Sequence, residues 1–153
     1  MRKRLILNVA AAILLLSSAP QAFPDTKSGE AKLQELKFQD VAKKALKVSL
    51  GNKVKADCSY YIDPDLSGKK VISVQARIKN TSDKVMYYGY YVAFFDNDKN
   101  LVACSSFGGG TIAKLNPGEE TNIGNVIELP PEQVKKIVSY QVTLQEDEKE
   151  FGK

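Results

Sequence analysis

Histidine and tryptophan are missing from the 153 residues, and cysteine and methionine occur only twice each. Without histidine there is no side chain whose ordinary pKa lies near neutrality. That excludes the usual general base, the Ser–His and Cys–His nucleophiles and the commonest metal ligand. Two cysteines cannot build a four-cysteine zinc site. No motif implies a cofactor, and an enzyme is not expected. A hydrolase working through a carboxylate pair is the remaining catalytic reading. It needs two acids converging in a cleft at about 5–10 Å, and no such pair stands out. What is present is ordinary for one folded domain: 43% hydrophobic and 26% charged residues.

The chain opens on Met1-Arg2-Lys3-Arg4, continues through the apolar stretch Leu5–Leu16, broken only by Asn8, and leaves it through Ser17, Ser18, Ala19, Pro20, Gln21 and Ala22. A basic start, a short apolar run and a small-residue exit describe a secretory signal peptide. The run is short of the roughly 20 residues a membrane-crossing helix needs, which disfavours an uncleaved anchor. Cleavage after Ala19 and after Ala22 both fit in part; Ala22 is taken, so residues 1–22 are the signal and the mature chain is expected to be secreted or periplasmic, with no stable membrane insertion. Residues 1–22 hold three of the 22 basic residues and none of the 18 acidic ones. The mature chain therefore has 19 basic against 18 acidic residues, a net of +1. Such a balance gives no electrostatic footprint for nucleic acid.

In the mature chain, residues 23–29 read as a linker. Phe38, Val41, Ala42 and Ala45 then recur at helical spacing, which predicts one amphipathic helix from about Glu30 to Leu46. Its expected role is to cover an end or edge of the next domain; a free partner-binding or membrane-surface helix is the alternative. From residue 48 to 146 the period changes to two. Ile72, Val74, Ala76 and Ile78 alternate with Ser73, Gln75, Arg77 and Lys79, and Val138, Tyr140, Val142 and Leu144 form a last alternating run. Val85–Phe95 is apolar or aromatic on both faces, as in a central strand covered on both sides. Leu101–Phe107 and Thr121–Leu129 are further strands, and Pro130–Gln133 opens a short helical turn. Six or seven short strands punctuated by turns predict an all-β, immunoglobulin-like antiparallel sandwich preceded by the helix. Gln145–Lys153 is charged and expected to fray, with residues 147–153 a tail.

Four pieces in order carry a family resemblance. They are the Asn80-Thr81-Ser82-Asp83 turn after Ile78-Lys79, the run Val92-Ala93-Phe94-Phe95-Asp96, the Asp98-Lys99-Asn100 hairpin lacking the usual glycine, and Leu115-Asn116-Pro117-Gly118-Glu119. Together they make the stretch from Val71 to Leu144 resemble the FxLYD-type and related immunoglobulin-like domains of secreted bacterial proteins. The resemblance implies a sandwich with a general binding or assembly role and no catalytic residues.

Cys58 and Cys104, in a chain read as exported, are expected to form a disulfide stabilising the fold by roughly 4 kcal/mol; two buried free thiols are the alternative. Tyr87, Tyr88, Tyr90 and Tyr91 crowd one strand. Exposed, they would stack on a carbohydrate or anchor a protein partner; otherwise they pack across strands, one of each pair on each side. Asp96, Asp98 and Asn100 alternate like the first ligands of a calcium loop, but Leu101 and Phe107 occupy the positions that need Gly and Glu, so a hairpin is expected. Asp63 and Asp65 read the same way. Asn80-Thr81-Ser82 matches a glycosylation acceptor, which in a bacterium is only a turn. Gly108-Gly109-Gly110 lacks the Gly-Lys-Ser/Thr of a phosphate loop. Two functions remain: a non-catalytic binding module with an unknown protein or carbohydrate partner, or an envelope assembly protein that pairs strand edges.

Overall fold

The computed structural model describes residues 24–64, 70–107 and 113–151. The expected signal peptide, most of the turn at 63–68 and the three glycines 108–110 lie outside these residues. Two antiparallel sheets pack as a sandwich. In chain order the elements are β1 (Asp25–Glu30), α1 (Phe38–Lys44), β2 (Leu46–Leu50), β3 (Val54–Asp63), β4 (Val71–Asn80), β5 (Met86–Phe95), β6 (Leu101–Phe107), β7 (Ala113–Leu115), β8 (Glu120–Glu128), α2 (Pro131–Val134) and β9 (Ser139–Asp147). One sheet runs β1-β9-β5-β6, with β7 also on β5; the other runs β2-β3-β4-β8.

Period two decides the core. From β4 come Ile72, Val74, Ala76 and Ile78; from β5 Met86, Tyr88, Tyr90, Val92 and Phe94; from β9 Val142 and Leu144, all buried in one cluster with β3's Val54, Ala56, Cys58 and Tyr60. At its centre the Tyr60 and Tyr90 hydroxyls, from opposite sheets, hydrogen-bond each other. The buried Cys58 thiol lies beside both. Tyr60 packs edge-on against Phe94, centroids 5.8 Å apart. Tyr90 leans on Phe107 at 5.6 Å. Burial pushes both tyrosines far above the ordinary phenol range and raises the Cys58 thiol. These groups stay neutral in the fold. Their contribution is complete below the ordinary thiol and phenol pKa values and declines as the pH rises past them, because only the unfolded chain then ionises.

Several expectations need correction. The linker is a strand: Asp25–Glu30 pairs with β9 from Leu144 back to Ser139. Its residues show no strand alternation; the open edge of β9 supplies the structure, a tertiary override of local pattern. The helix shrinks to Phe38–Lys44. Residues before it are drawn into ladders instead. Ala31 donates to the Val138 carbonyl at 2.8 Å, and Gln34 and Leu36 exchange bonds with Ile62 at 2.8 and 2.9 Å. Leu36, Val41 and Ala45 cover Tyr61 on the outer face of β3. The helix thus packs on the outer face of β3 and not on an end or edge of the sandwich, and Phe38 is 90% exposed. Strand β5 is central but not covered on both sides: Tyr91 is 45% exposed and Tyr87, Ala93 and Phe95 are half-buried.

The charged terminus does not fray at its start. β9 runs to Asp147, and the Lys53 and Val54 N–H groups donate to the Glu146 carboxylate. Glu148 pairs with Lys53 at 2.6 Å and Lys84 at 2.7 Å. The two ammonium groups hold its carboxyl down at about 2. This clamp is present above the ordinary glutamate range and is lost as the pH falls towards 2.

Two resemblance motifs meet in space. Asn80 is wholly buried, and its side-chain NH2 donates to the carbonyls of Lys84, Leu115 and Asn116 while its oxygen accepts from Ser82. One side chain therefore ties the 80–84 turn to the 115–119 turn. The burial also closes Asn80 to glycosylation in the folded chain. In the 96–100 hairpin Lys99 takes φ 64°, the left-handed region where the missing glycine would be relaxed.

The β2–β3 turn needs Gly51. Its φ is 98°, and a Cβ there would sit 1.9 Å from the Val54 carbonyl oxygen and 2.6 Å from Leu144. Gly118 has φ 75° but open space around it. Gly51→Ala is predicted to destabilise the fold by about 3–4 kcal/mol, a steric clash added to the strain, and Gly118→Ala by about 1–2 kcal/mol from strain alone. Urea unfolding of the two variants checks this; equal costs would contradict the packing described.

Candidate functional site

The four tyrosines singled out on β5 part company. Tyr88 and Tyr90 face the core and are unavailable to a ligand, 4% and 0% exposed. Tyr87 and Tyr91 face out, as strand alternation requires. The Tyr91 ring lies over Gly89, within 3.3 Å of where a Cβ would stand, beside the Gln145 side chain. The sequence clustering reflects one core face plus one outer face, and the outer face retains a single well-exposed ring.

The expected disulfide does not form. Cys58 is buried and Cys104 exposed, and both are free. Cys104 pairs with Ala93 in the ladder while its neighbours Ala103 and Ser105 are the buried residues of β6. The two thiols therefore sit on opposite sides of the β5–β6 layer. Sequence spacing carried no information about which face of β6 the cysteine takes.

The carboxylate of Asp96 is occupied by its own hairpin. Its oxygens accept from the N–H groups of Asp98 and Asn100 and from the Asn100 side chain, at 2.8–3.1 Å. These bonds hold its carboxyl below the ordinary range. Among the described residues no group of three or more Cys, Asp or Glu could hold a metal ion.

The feature not read from the sequence is the free edge of β8. Its ladder with β4 runs without a break from Val71↔Glu128 to Lys79↔Glu120. Only the two ends, Glu120 and Glu128, are charged; Thr121 to Ile127 is not. Among the described residues no strand pairs with its other side. The other edges are blunted in ordinary ways. β1 carries Asp25, Lys27 and Glu30; β2 is five residues long with Lys47; β6, uncharged, has a register shift opposite Phe94/Phe95 and shares its side of β5 with the short β7. Inward, Asn125 donates to the Ser105 hydroxyl at 2.8 Å, tying β8 to β6 across the sandwich.

Beside this edge, on the outer face, lies an open trough of about 430 Å³. Registers align Ser49–Asp57–Arg77–Asn122 in one row and Lys47–Ser59–Gln75–Gly124 in the next. Arg77 lies 4.0 Å from Asp57 and 3.6 Å from Glu120, so both contacts are ionic and longer than hydrogen bonds. Ser49 donates to Asp57 at 2.6 Å, and Gln75 to the Tyr61 hydroxyl at 3.1 Å. Gly124 leaves the second row without a side chain at its end.

No family model matches this chain, and no curated protein matches it. Solved structures do. A chain in the structure of the infectious bursal disease virus Gx strain aligns over 87% of this chain and 27% of its own length, at 13% identity and a TM-score of 0.43. The trimeric lipoprotein SadB of Salmonella enterica aligns over 80% of this chain and 59% of its own, at 14% identity and 0.41. A DUF1425 family member from Shewanella sp. pv-4 aligns over 67% and 91%, at 13% identity and 0.36. This chain thus spans less than two thirds of the first two. Among the described residues no helix is long and apolar enough to cross a membrane.

The placement of the cysteines predicts two free thiols per chain in the unfolded, non-reduced protein. In the native protein a thiol reagent should modify Cys104 quickly and Cys58 only on unfolding, since burial keeps Cys58 protonated and covered. Fewer than two thiols, or equal native rates, would contradict it.

Proposed function

We propose that the chain is an exported, non-catalytic interaction domain that binds a protein partner by adding its strand to β8. The observation that carries this is the edge itself: nine residues in unbroken register, uncharged between its ends. Such an edge presents a row of N–H and C=O groups, and main-chain pairing is the general way an exposed edge gains affinity. Export is supported by the basic Met1–Arg4 start and the apolar run that follows. The lack of histidine supports a binding role over catalysis. The FxLYD-type resemblance is consistent with it, since the two turn motifs it rests on meet around Asn80 as parts of one scaffold.

Val126, an outer-face residue of β8, is 42% exposed, so Val126→Lys puts a charge on the edge with little effect on folding. In capture from the native envelope or culture medium, the partner is predicted to be retained by the mature wild-type protein and by Tyr91→Ser, and reduced at least tenfold by Val126→Lys. Capture that survives Val126→Lys and is lost with Tyr91→Ser would move the binding surface to the outer face of β5.

A further inference from the structure

Three glycines lie within described strands and lack a positive φ: Gly29 in β1, Gly89 in β5 and Gly124 in β8. A glycine in a strand leaves a gap in the row of side chains and bares the backbone beneath it, and an aromatic ring from a neighbouring position can close that gap. This protein does so twice. Gly29 stands directly opposite Tyr140, whose ring lies 3.1–3.3 Å from the Cβ position. Gly89 lies under the Tyr91 ring at 3.3 Å. Gly124 has nothing within 4 Å. Its row reads Lys47–Ser59–Gln75–Gly124 and stops, because β8 is the edge. The side chain that would cover Gly124 from across the sheet belongs to the next strand, and the trough beside it is the space that side chain would enter.

We propose that the strand received by β8 is an extended segment of another polypeptide, antiparallel to β8, with an aromatic side chain opposite Gly124 and a basic residue four positions to either side. This rests on the reading of β8 as a pairing edge and adds what that edge selects. The aromatic ring would lie on the Gly124 backbone against Gln75, with the Arg77 and Asn122 side chains at the trough wall. The basic residues follow from charge. Residues four away from Gly124 are Glu120 and Glu128, on the same face, so a cation opposite each is an opposite-charge cross-strand pair. Glu120 keeps its contact with Arg77 in this arrangement. A second copy of the chain is a poor occupant. Pairing β8 with itself about Gly124 sets Glu120 against Glu128 at both ends and glycine against glycine in the middle, which places like charges together and leaves the gap open.

The probe follows from the register. The labelled nonapeptide KVVTFVTTK puts phenylalanine on Gly124, valines opposite Val126, Ile127 and Ile123, threonines opposite Asn125, Asn122 and Thr121, and lysines opposite the two glutamates. Fluorescence anisotropy with the mature protein should give saturable binding. Replacing phenylalanine by alanine, or both lysines by glutamate, should weaken it at least tenfold. Hydrogen exchange at residues 120–128 should slow when the parent peptide is bound. Gly124→Tyr, whose ring enters open space, should bind the phenylalanine and alanine peptides alike. An alanine peptide that binds wild-type as tightly as the parent and protects β8 equally would overturn the aromatic anchor and leave strand pairing standing. No protection of β8 by any of the peptides would overturn both. A concentration-dependent dimer in sedimentation, abolished by Val126→Lys, would overturn the choice of partner in favour of a second copy.

Discussion

The bond between the Tyr60 and Tyr90 hydroxyls is the contact on which the sandwich turns. It joins the two sheets at their centre, among side chains that are mostly apolar. A buried hydroxyl without a partner costs about 1–3 kcal/mol, so each tyrosine is tolerable there only because the other is present. The weakly polar Cys58 thiol lies beside the pair. Among the described residues no buried side-chain nitrogen or oxygen is left without a bond. The pair also sets register. Slipping either strand by one residue would turn its tyrosine to the outer face and bring Tyr61 or Tyr91 inward, against neighbours placed for a different row.

With that register set, the rest of the molecule has little freedom. β5 lies between β9 and the β6–β7 side, and β3 and β4 lie side by side below it. β8 then has β4 on one side only, and its inward Asn125 is drawn to Ser105 on β6. The tyrosines that looked like a binding patch are half consumed in making the core. Surface chemistry is left to the outer faces and to the edges, and β8 is a nine-residue edge in unbroken register, charged only at its ends, Glu120 and Glu128, with no strand on its other side among the described residues. The structural demand for a single core and the functional reading of β8 are in this sense the same argument.

Much of the fold was legible from period two. Leu101–Phe107 is β6 to the residue, and the alternation through Ile72–Ile78 and Tyr140–Leu144 gave the inward faces of β4 and β9, while Val138 lies just before β9. The turn chemistry of Asn80, Asp96 and Asn116-Pro117-Gly118 was equally local and equally readable. What was missed depends on long-range partners. Asp25–Glu30 became a strand because β9 had an open edge, and residues 31–37 left the helix because Ile62 and Val138 offered ladder bonds. The cysteine pairing was misjudged because compartment and spacing carry no information about which face of β6 receives Cys104. The candidate site was hidden for a related reason: an edge strand and an uncovered glycine are defined by what fails to lie beside them, and Gly124 reads in one dimension like Gly89.

A double-mutant cycle on Tyr60→Phe and Tyr90→Phe, followed by urea unfolding, tests the central contact most directly. Each single change keeps the ring and strands the opposite hydroxyl, so each is expected to cost about 1–2 kcal/mol. Removing both leaves only the Cys58 thiol, itself a weak donor, so the double variant should be no less stable than the worse single one, a coupling of at least about 1 kcal/mol. Strictly additive losses would contradict the account, because the two hydroxyls would then be satisfied independently and the sheets would be held by apolar packing alone.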